Sequence, residues 1–203
     1  MSNTQRYVTN LDIIAQFKKG TVTNELLKGF SGWGGLKKAI EQPEIYNYMN
    51  TLLTHEEISS LKKTITNGYY TPAPLVKFMY DWLLAYGFKA GSILEPAIGQ
   101  GVFIEHMPQS LRNTCQITAV EIDKLTSQMV QTLYSDISLI NTGFEKYQPD
   151  QKFDLVIGNP PYGVECLVDH QHPDLNRYRI HHYFVVKSMR LLLKTSIHHL
   201  HLL

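Results

Sequence analysis

Two regimes of hydrophobic spacing divide the 203-residue chain. Up to about residue 66, apolar side chains recur at helical intervals. In "NLDIIAQFKKG" the residues Leu11, Ile14 and Phe17 form one stripe, and Gly20 follows as a C-cap. "TNELLKGF" repeats the pattern. "THEEISSLKKTI" opens on a threonine followed by Glu56 and Glu57, a helix N-terminal signal. Between these segments Gly32, Gly34 and Gly35 surround Trp33, which gives the backbone freedom beside a bulky ring.

From about Tyr69 the spacing changes. "TPAPLVKFMYDWLLAYGF" predicts a helix whose prolines fall in its first turn, where a missing N–H costs little. "GSILEP" is a short apolar run ending in a carboxylate and a proline, and "AIGQGVFIEHMP" reads as a glycine turn entering a helix. "QITAVEID" is a second strand, "KLTSQMVQTLY" a helix, "ISLINTGF" a third strand and "KFDLVIGN" a fourth. Strands alternating with helices imply parallel pairing, so the expected fold class is α/β with a doubly wound sheet.

Composition adds bounds. Hydrophobic residues make up 43% and charged residues 18%, an ordinary globular balance, and the formal charge of +1 offers a nucleic acid no global attraction. Two cysteines, Cys115 and Cys166, form no framework and read as reduced thiols. The polar start "MSNTQRYVTN" carries no apolar leader, and no stretch is long enough to span a bilayer, so a cytoplasmic protein is expected.

Candidate chemistry lies at the predicted strand ends. Gly99 and Gly101 stand between strand one and its helix, where glycines let backbone approach a ligand beside a helix N-terminus. A lone G-x-G is equally a tight connection. Glu121 closes the second strand about twenty residues on, placed to accept hydrogen bonds from a ribose diol; a solvated loop acid is the bland alternative, and Asp123 competes for the role. Glu95 adds a carboxylate at the end of strand one. That charge repels a pyrophosphate dinucleotide and suits a cation bearing a ribose, such as S-adenosylmethionine.

"LVIGNPPYG" then ends a buried strand in an asparagine, two prolines and a ring. Read alone it is a proline-rich turn. Beside the glycine turn it has a chemical reading. Two acceptors, the Asn159 side-chain oxygen and the Pro160 carbonyl, can take both N–H groups of an amine and favour positive charge that develops on its nitrogen. Pro160 and Pro161 keep the chain extended, and Tyr162 offers a flat face beside them.

"YTPAPLVKFM", "LEPAIGQGVF", "VEID" and "FDLVIGNPPYG", in that order, resemble the N6-adenine DNA methyltransferases over about residues 69–194. "FSGWGGL" and "LLTHEEISSLKKTITNGYYTP" resemble the methylase segment of large phage and plasmid methylase–helicase fusions linked to antirestriction. The resemblance implies a Rossmann-like methyltransferase fold over residues 69–203 behind a helical extension, residues 1–68. It implies S-adenosyl-L-methionine as cofactor and adenine-containing DNA as partner. Thr71 would contact the methionine part; Glu95, Pro96, Gly99 and Gly101 would form the turn around it. Glu121 would bind the ribose with Ile122 against the adenine ring, and Asn159, Pro160, Pro161 and Tyr162 would hold the target base. Many members carry an aspartate after strand three that meets the cofactor's amine. Gly143, Phe144 and Glu145 stand here, leaving Phe144 to stack on the cofactor and the polar contact open.

After Lys194 the tail "TSIHHLHLL" lacks the glycine turn and strand that the resemblance implies. The expectation is therefore an incomplete sheet of strands one to four with an open edge, its target-reading part supplied by a missing C-terminal half or a second subunit. A frameshifted gene, a cloned fragment and a split enzyme all fit that end. Two other functions stay open: an inactive remnant or binding module that keeps the cofactor pocket, and an N-methyltransferase acting on protein glutamine or RNA. The nine histidines, including His170, His172, His181 and His182, lack zinc-site spacing, and the lysine pairs read as solvated helix faces.

Overall fold

The computed structural model describes residues 3–33, 41–65, 71–193 and 200–202. Among the described residues, the N-terminal part carries the helices α1 (Asn3–Lys19), α2 (Asn24–Lys28), α3 (Pro43–Leu52) and α4 (His55–Thr64). Gly20, at φ +70°, ends α1 as expected, with the Thr21 N–H returning to the Gln16 carbonyl at 3.0 Å. A reciprocal Thr54–Glu57 capping box starts α4. Gly34, Gly35 and the expected boundary at residues 68 and 69 lie outside the described residues.

The second part runs α5 (Ala73–Ala85), β1 (Gly91–Glu95), α6 (Val102–Glu105), α7 (Gln109–Arg112), β2 (Cys115–Glu121), α8 (Lys124–Leu133), β3 (Ser138–Asn141), β4 (Leu155–Gly158), α9 (Ile180–Leu191) and β5 (Leu200–Leu202). The helix predicted from "AIGQGVFIEHMP" is shorter than its sequence suggests. It is a single turn, α6, and Pro108 then caps α7.

The strands are parallel and ordered β3-β2-β1-β4-β5. Glu95 lies opposite Ala119, and Glu121 opposite Asn141, so the carboxyl ends of β1, β2 and β3 share one edge. The chain winds outward from β1 to β3 and then returns to β4 on the other side of β1. That reversal opens a crevice at the end of β1, where ligands of such sheets bind.

The expected open edge beside β4 is corrected: Val156, Ile157 and Gly158 pair with Leu200, His201 and Leu202. Unpaired strand edges are strong templates for any extended segment. The chain is already drawn alongside by Phe153, which accepts from Leu193 N and donates to Leu191 O, both at 2.9 Å.

The two parts share a core. Tyr7, Ile14, Leu27, Trp33, Met49 and Leu61 pack with Leu125 and Met129 of α8. The Trp33 indole N–H donates to Asp123 at 3.3 Å, and Asp123 caps α8 through the Thr126 N–H at 3.0 Å. Ser60 of α4 donates to the Ile122 carbonyl at 3.5 Å. The helical part therefore sits against the loop after β2.

A buried ion pair fixes the long segment after β4. Asp169, fully buried, accepts from Lys187 Nζ at 2.9 Å and the Tyr183 hydroxyl at 2.6 Å. Lys187 also donates to the carbonyls of Phe144, at 2.7 Å, and Glu145, at 3.3 Å. Burial works against ionisation of Asp169, but the Tyr183 and Lys187 hydrogen bonds outweigh it and hold the carboxyl well below its usual range. His172, half of the H-x-H motif, lies 3.2 Å from the same carboxylate. Removing one partner leaves the other as an uncompensated buried charge. Lys187→Met is expected to cost about 3–5 kcal/mol in urea unfolding, and adding Asp169→Asn to recover part of that loss.

Candidate active site

The turn after β1 is built around Glu121. Its Oε2 accepts from the Gly99 N–H at 2.9 Å, and its Oε1 from the Asp123 N–H at 2.8 Å. Ile98 donates to Val120 at 3.0 Å, which seals the turn onto β2. Gly99 has φ +55° and Gly101 has φ +81°, in the left-handed region. The two glycines do different things. A Cβ on Gly101 would lie 2.7 Å from the Tyr134 ring, whereas one on Gly99 meets nothing within 4 Å. The space over Gly99 is open to a ligand. Beneath the turn, Tyr80 of α5 donates to the Phe103 carbonyl at 3.1 Å, and Val76 packs in the same cluster as Ile98. Thr71 is buried at the entry of that helix.

Glu95 closes β1 inside the protein, 1% exposed, and among the described residues its Oε2 has no hydrogen-bond partner. Burial first, and then the nearby Glu121, push its carboxyl well above the usual range. Burial likewise raises Glu121, from 4.5 to about 7, with Asp123 adding to the rise and the Asp123 and Gly99 amides opposing it. Two carboxyl groups kept from water at one strand edge suit a ligand that brings positive charge and hydroxyl donors. That chemistry fits the cationic nucleoside expected from the sequence.

β4 delivers the tetrapeptide to the same place. A Cβ on Gly158 would lie 3.4 Å from Pro96 and 3.5 Å from the Glu95 side chain. Asn159 is the next residue, half-buried, followed by buried Pro160 and half-buried Pro161. Tyr162 is 37% exposed and stacks on His181 of α9, ring centres 6.0 Å apart. Ile180, the residue before that histidine, donates to the Glu165 carbonyl at 2.8 Å and ties the loop to the helix.

Glu95, Pro96, Gly99, Gly101, Glu121 and the start of the tetrapeptide therefore gather at one edge, with Ile122 40% exposed beside them. Phe144 is placed differently. Its ring is 3% exposed and packs against Phe184 at 4.7 Å, with Tyr147 and Tyr183 nearby, so it serves the core under the sheet. Asp123 acts as a helix cap and as the acceptor for Trp33, apart from the turn amides that Glu121 takes. The sequence reading missed Trp33, Ser60, Asp169, Lys187 and His181, whose roles come from contacts across many residues. Among the described residues no group of three His, Cys, Asp or Glu is placed to hold a metal, and no helix is long and apolar enough to cross a membrane.

The Eco57I restriction-modification methylase family matches residues 82–200, more than half of the chain. The chain belongs to that family. Curated relatives include Defense against restriction protein B of Escherichia phage P1, 28% identical over 160 residues. That alignment spans 75% of this chain and 6% of that protein. Type II methyltransferase M.CvrRI of a Paramecium bursaria Chlorella virus is 32% identical over 108 residues, 53% of this chain and 27% of the relative. A tRNA1(Val) (adenine(37)-N6)-methyltransferase of Haemophilus influenzae is 32% identical over 98 residues, 43% and 41% of the two chains. The chain thus spans less than half of each of these proteins. The methyltransferase subunit of a type I restriction-modification system from Streptococcus thermophilus shares the fold, with a TM-score of 0.53 at 14% identity, over 91% of this chain and 52% of that one.

The acid pair sets a pH dependence. A carboxyl raised from 4.5 to about 7 gives the folded state more bound protons than the unfolded state over that window. Its contribution to stability is full below pH 4.5 and is lost as the pH rises through about 7. Urea unfolding of the ligand-free protein at pH 5 and pH 8 is expected to show wild type losing a few kcal/mol more than Glu121→Gln. Equal losses in the two proteins contradict the burial of an ionisable pair.

Proposed function

We propose that this chain is the catalytic part of an S-adenosylmethionine-dependent DNA methyltransferase that modifies the N6 amine of adenine. The observation that carries the reading is the approach of Gly158 to Pro96 and Glu95, which puts the tetrapeptide beside the turn over Gly99. Its antirestriction and modification relatives support the same reading.

When bound, the cofactor supplies an electrophilic methyl group on a cationic sulfonium. Glu95 and Glu121 would hold it, the first offering negative charge and the second accepting from ribose hydroxyls, with Thr71, Gly99 and Ile122 around it. Asn159 and the Pro160 carbonyl accept the two N–H groups of the target amine. That contact strengthens as the nitrogen becomes positive, so it acts on the transition state more than on the bound base. Pro160 and Pro161 keep that carbonyl out of helical geometry, and Tyr162 carries the base, its ring backed by His181. No group of tuned basicity is required, since the amine can lose its proton after transfer; placement does most of the work.

A second reading rests on the tRNA methyltransferase relative, because the same grip on an amine serves adenine in RNA. Tritiated-methyl transfer to unmethylated DNA and to tRNA, measured side by side, separates the two. DNA is expected to be the substrate, and Asn159→Ala to lose about 100-fold in rate while calorimetry shows cofactor binding retained. Equal transfer by Asn159→Ala overturns the catalytic assignment. Cofactor binding with transfer to neither nucleic acid leaves a binding module.

A further inference from the structure

The segment "FSGW" belongs to the helical part of the chain, yet its last residue reaches the site. Asn10, buried in α1, anchors it. Its amide donates to the Gly32 carbonyl at 2.7 Å, and its oxygen accepts from the Ser31 N–H at 3.0 Å. Arg6 adds a bond to the Ser31 carbonyl at 3.3 Å. Gly32 turns the chain at φ +65°, and the Trp33 ring then packs edge-on against Phe30 at 5.4 Å, almost wholly buried.

From this fixed position the Trp33 indole meets the loop after β2. Asp123 Oδ2 accepts from it at 3.3 Å and from the Thr126 N–H and hydroxyl at 3.0 and 2.6 Å. Asp123 is itself buried, and its N–H donates to Glu121 Oε1 at 2.8 Å. Ser60 of α4 secures the same loop, donating to the Ile122 carbonyl at 3.5 Å and accepting from the Lys124 N–H at 3.4 Å. The three residues that follow Glu121 are thus held from two elements of the helical part. The donor to Asp123 is also neutral. An indole N–H satisfies that carboxylate without placing positive charge beside Glu121, and among the described residues no ion pair engages either acid. A lysine or arginine in its place would cancel charge that a cationic ligand is to meet.

We propose that Trp33 is a positioning residue of the cofactor site: acting through Asp123, it sets the loop after β2 so that Glu121 meets the ribose hydroxyls. The inference rests on the cofactor reading above. It makes the helical part a component of the site, since the N–H that orients Glu121 comes from the residue that Trp33 holds. A loosened loop leaves the fold and the tetrapeptide in place and costs the ribose contact alone.

The test is calorimetric binding of S-adenosylhomocysteine and of its 2′,3′-dideoxy analogue, which lacks the hydroxyls that Glu121 would take. Neither compound requires turnover. Trp33→Phe keeps a ring in the core and removes the N–H. It is expected to weaken the ribose compound about tenfold, the worth of one hydrogen bond to a charged acceptor, and the dideoxy compound by less than about twofold. Equal weakening of both compounds marks a general loosening of the fold and overturns the positioning role, as does unchanged binding of both. Should Trp33→Phe fail to fold, Ser60→Ala reads the same loop from its other holder: a loss confined to the ribose compound supports the inference, and no loss overturns it. Failure of wild type to bind S-adenosylhomocysteine overturns the cofactor reading and this inference with it.

Discussion

Keeping two carboxyl groups from water at adjacent strand ends is the constraint on which the site depends. Glu95 and Glu121 are both buried, and no cation among the described residues neutralises them. Isolated buried carboxylates are costly, and such groups hold their protons instead. Hydrophobic burial elsewhere must therefore carry a site whose own charges oppose compaction. Parallel pairing through Ile93, Ile117, Ala119, Leu155 and Ile157 supplies that rigid base. Function fits the strain: a cationic nucleoside brings what the pair lacks.

The topology turns this local chemistry into a two-sided site. Because the chain reverses direction beside β1, the acid of β1 and the tetrapeptide after β4 become neighbours although more than sixty residues separate them in sequence. The loops beyond are held from outside the sheet. Lys187 and Asp169 join the segment after β3 to the segment after β4, while Trp33 and Ser60 press the helical part onto the loop after β2. The turn after β1 and the tetrapeptide after β4 thus share one framework.

Local signals made much of this legible. Alternating strands and helices, Gly20, the Thr54–Glu57 cap, the glycine turn and the position of Glu121 all follow from short-range physics: φ above zero, satisfaction of helix-end N–H groups, and apolar periodicity. What escaped was long-range. β5 has too little sequence of its own to announce a strand, and its pairing is decided by the unpaired edge of β4. Phe144 looked available for stacking because its position after β3 was known, whereas its burial depends on α9 and Tyr147. Gly143 seemed to be a loss, and only the fold places the Glu145 side chain over it.

The claim that the site keeps protonated carboxyl groups ready for a cation is tested most directly by proton uptake or release on binding. Titrating S-adenosylmethionine at pH 7 in two buffers of different ionisation heat measures the protons exchanged. Release of a fraction of a proton or more per molecule bound is the expected result, since the cation favours the ionised forms of Glu95 and Glu121. Binding with no proton exchange, or with net uptake, would contradict it.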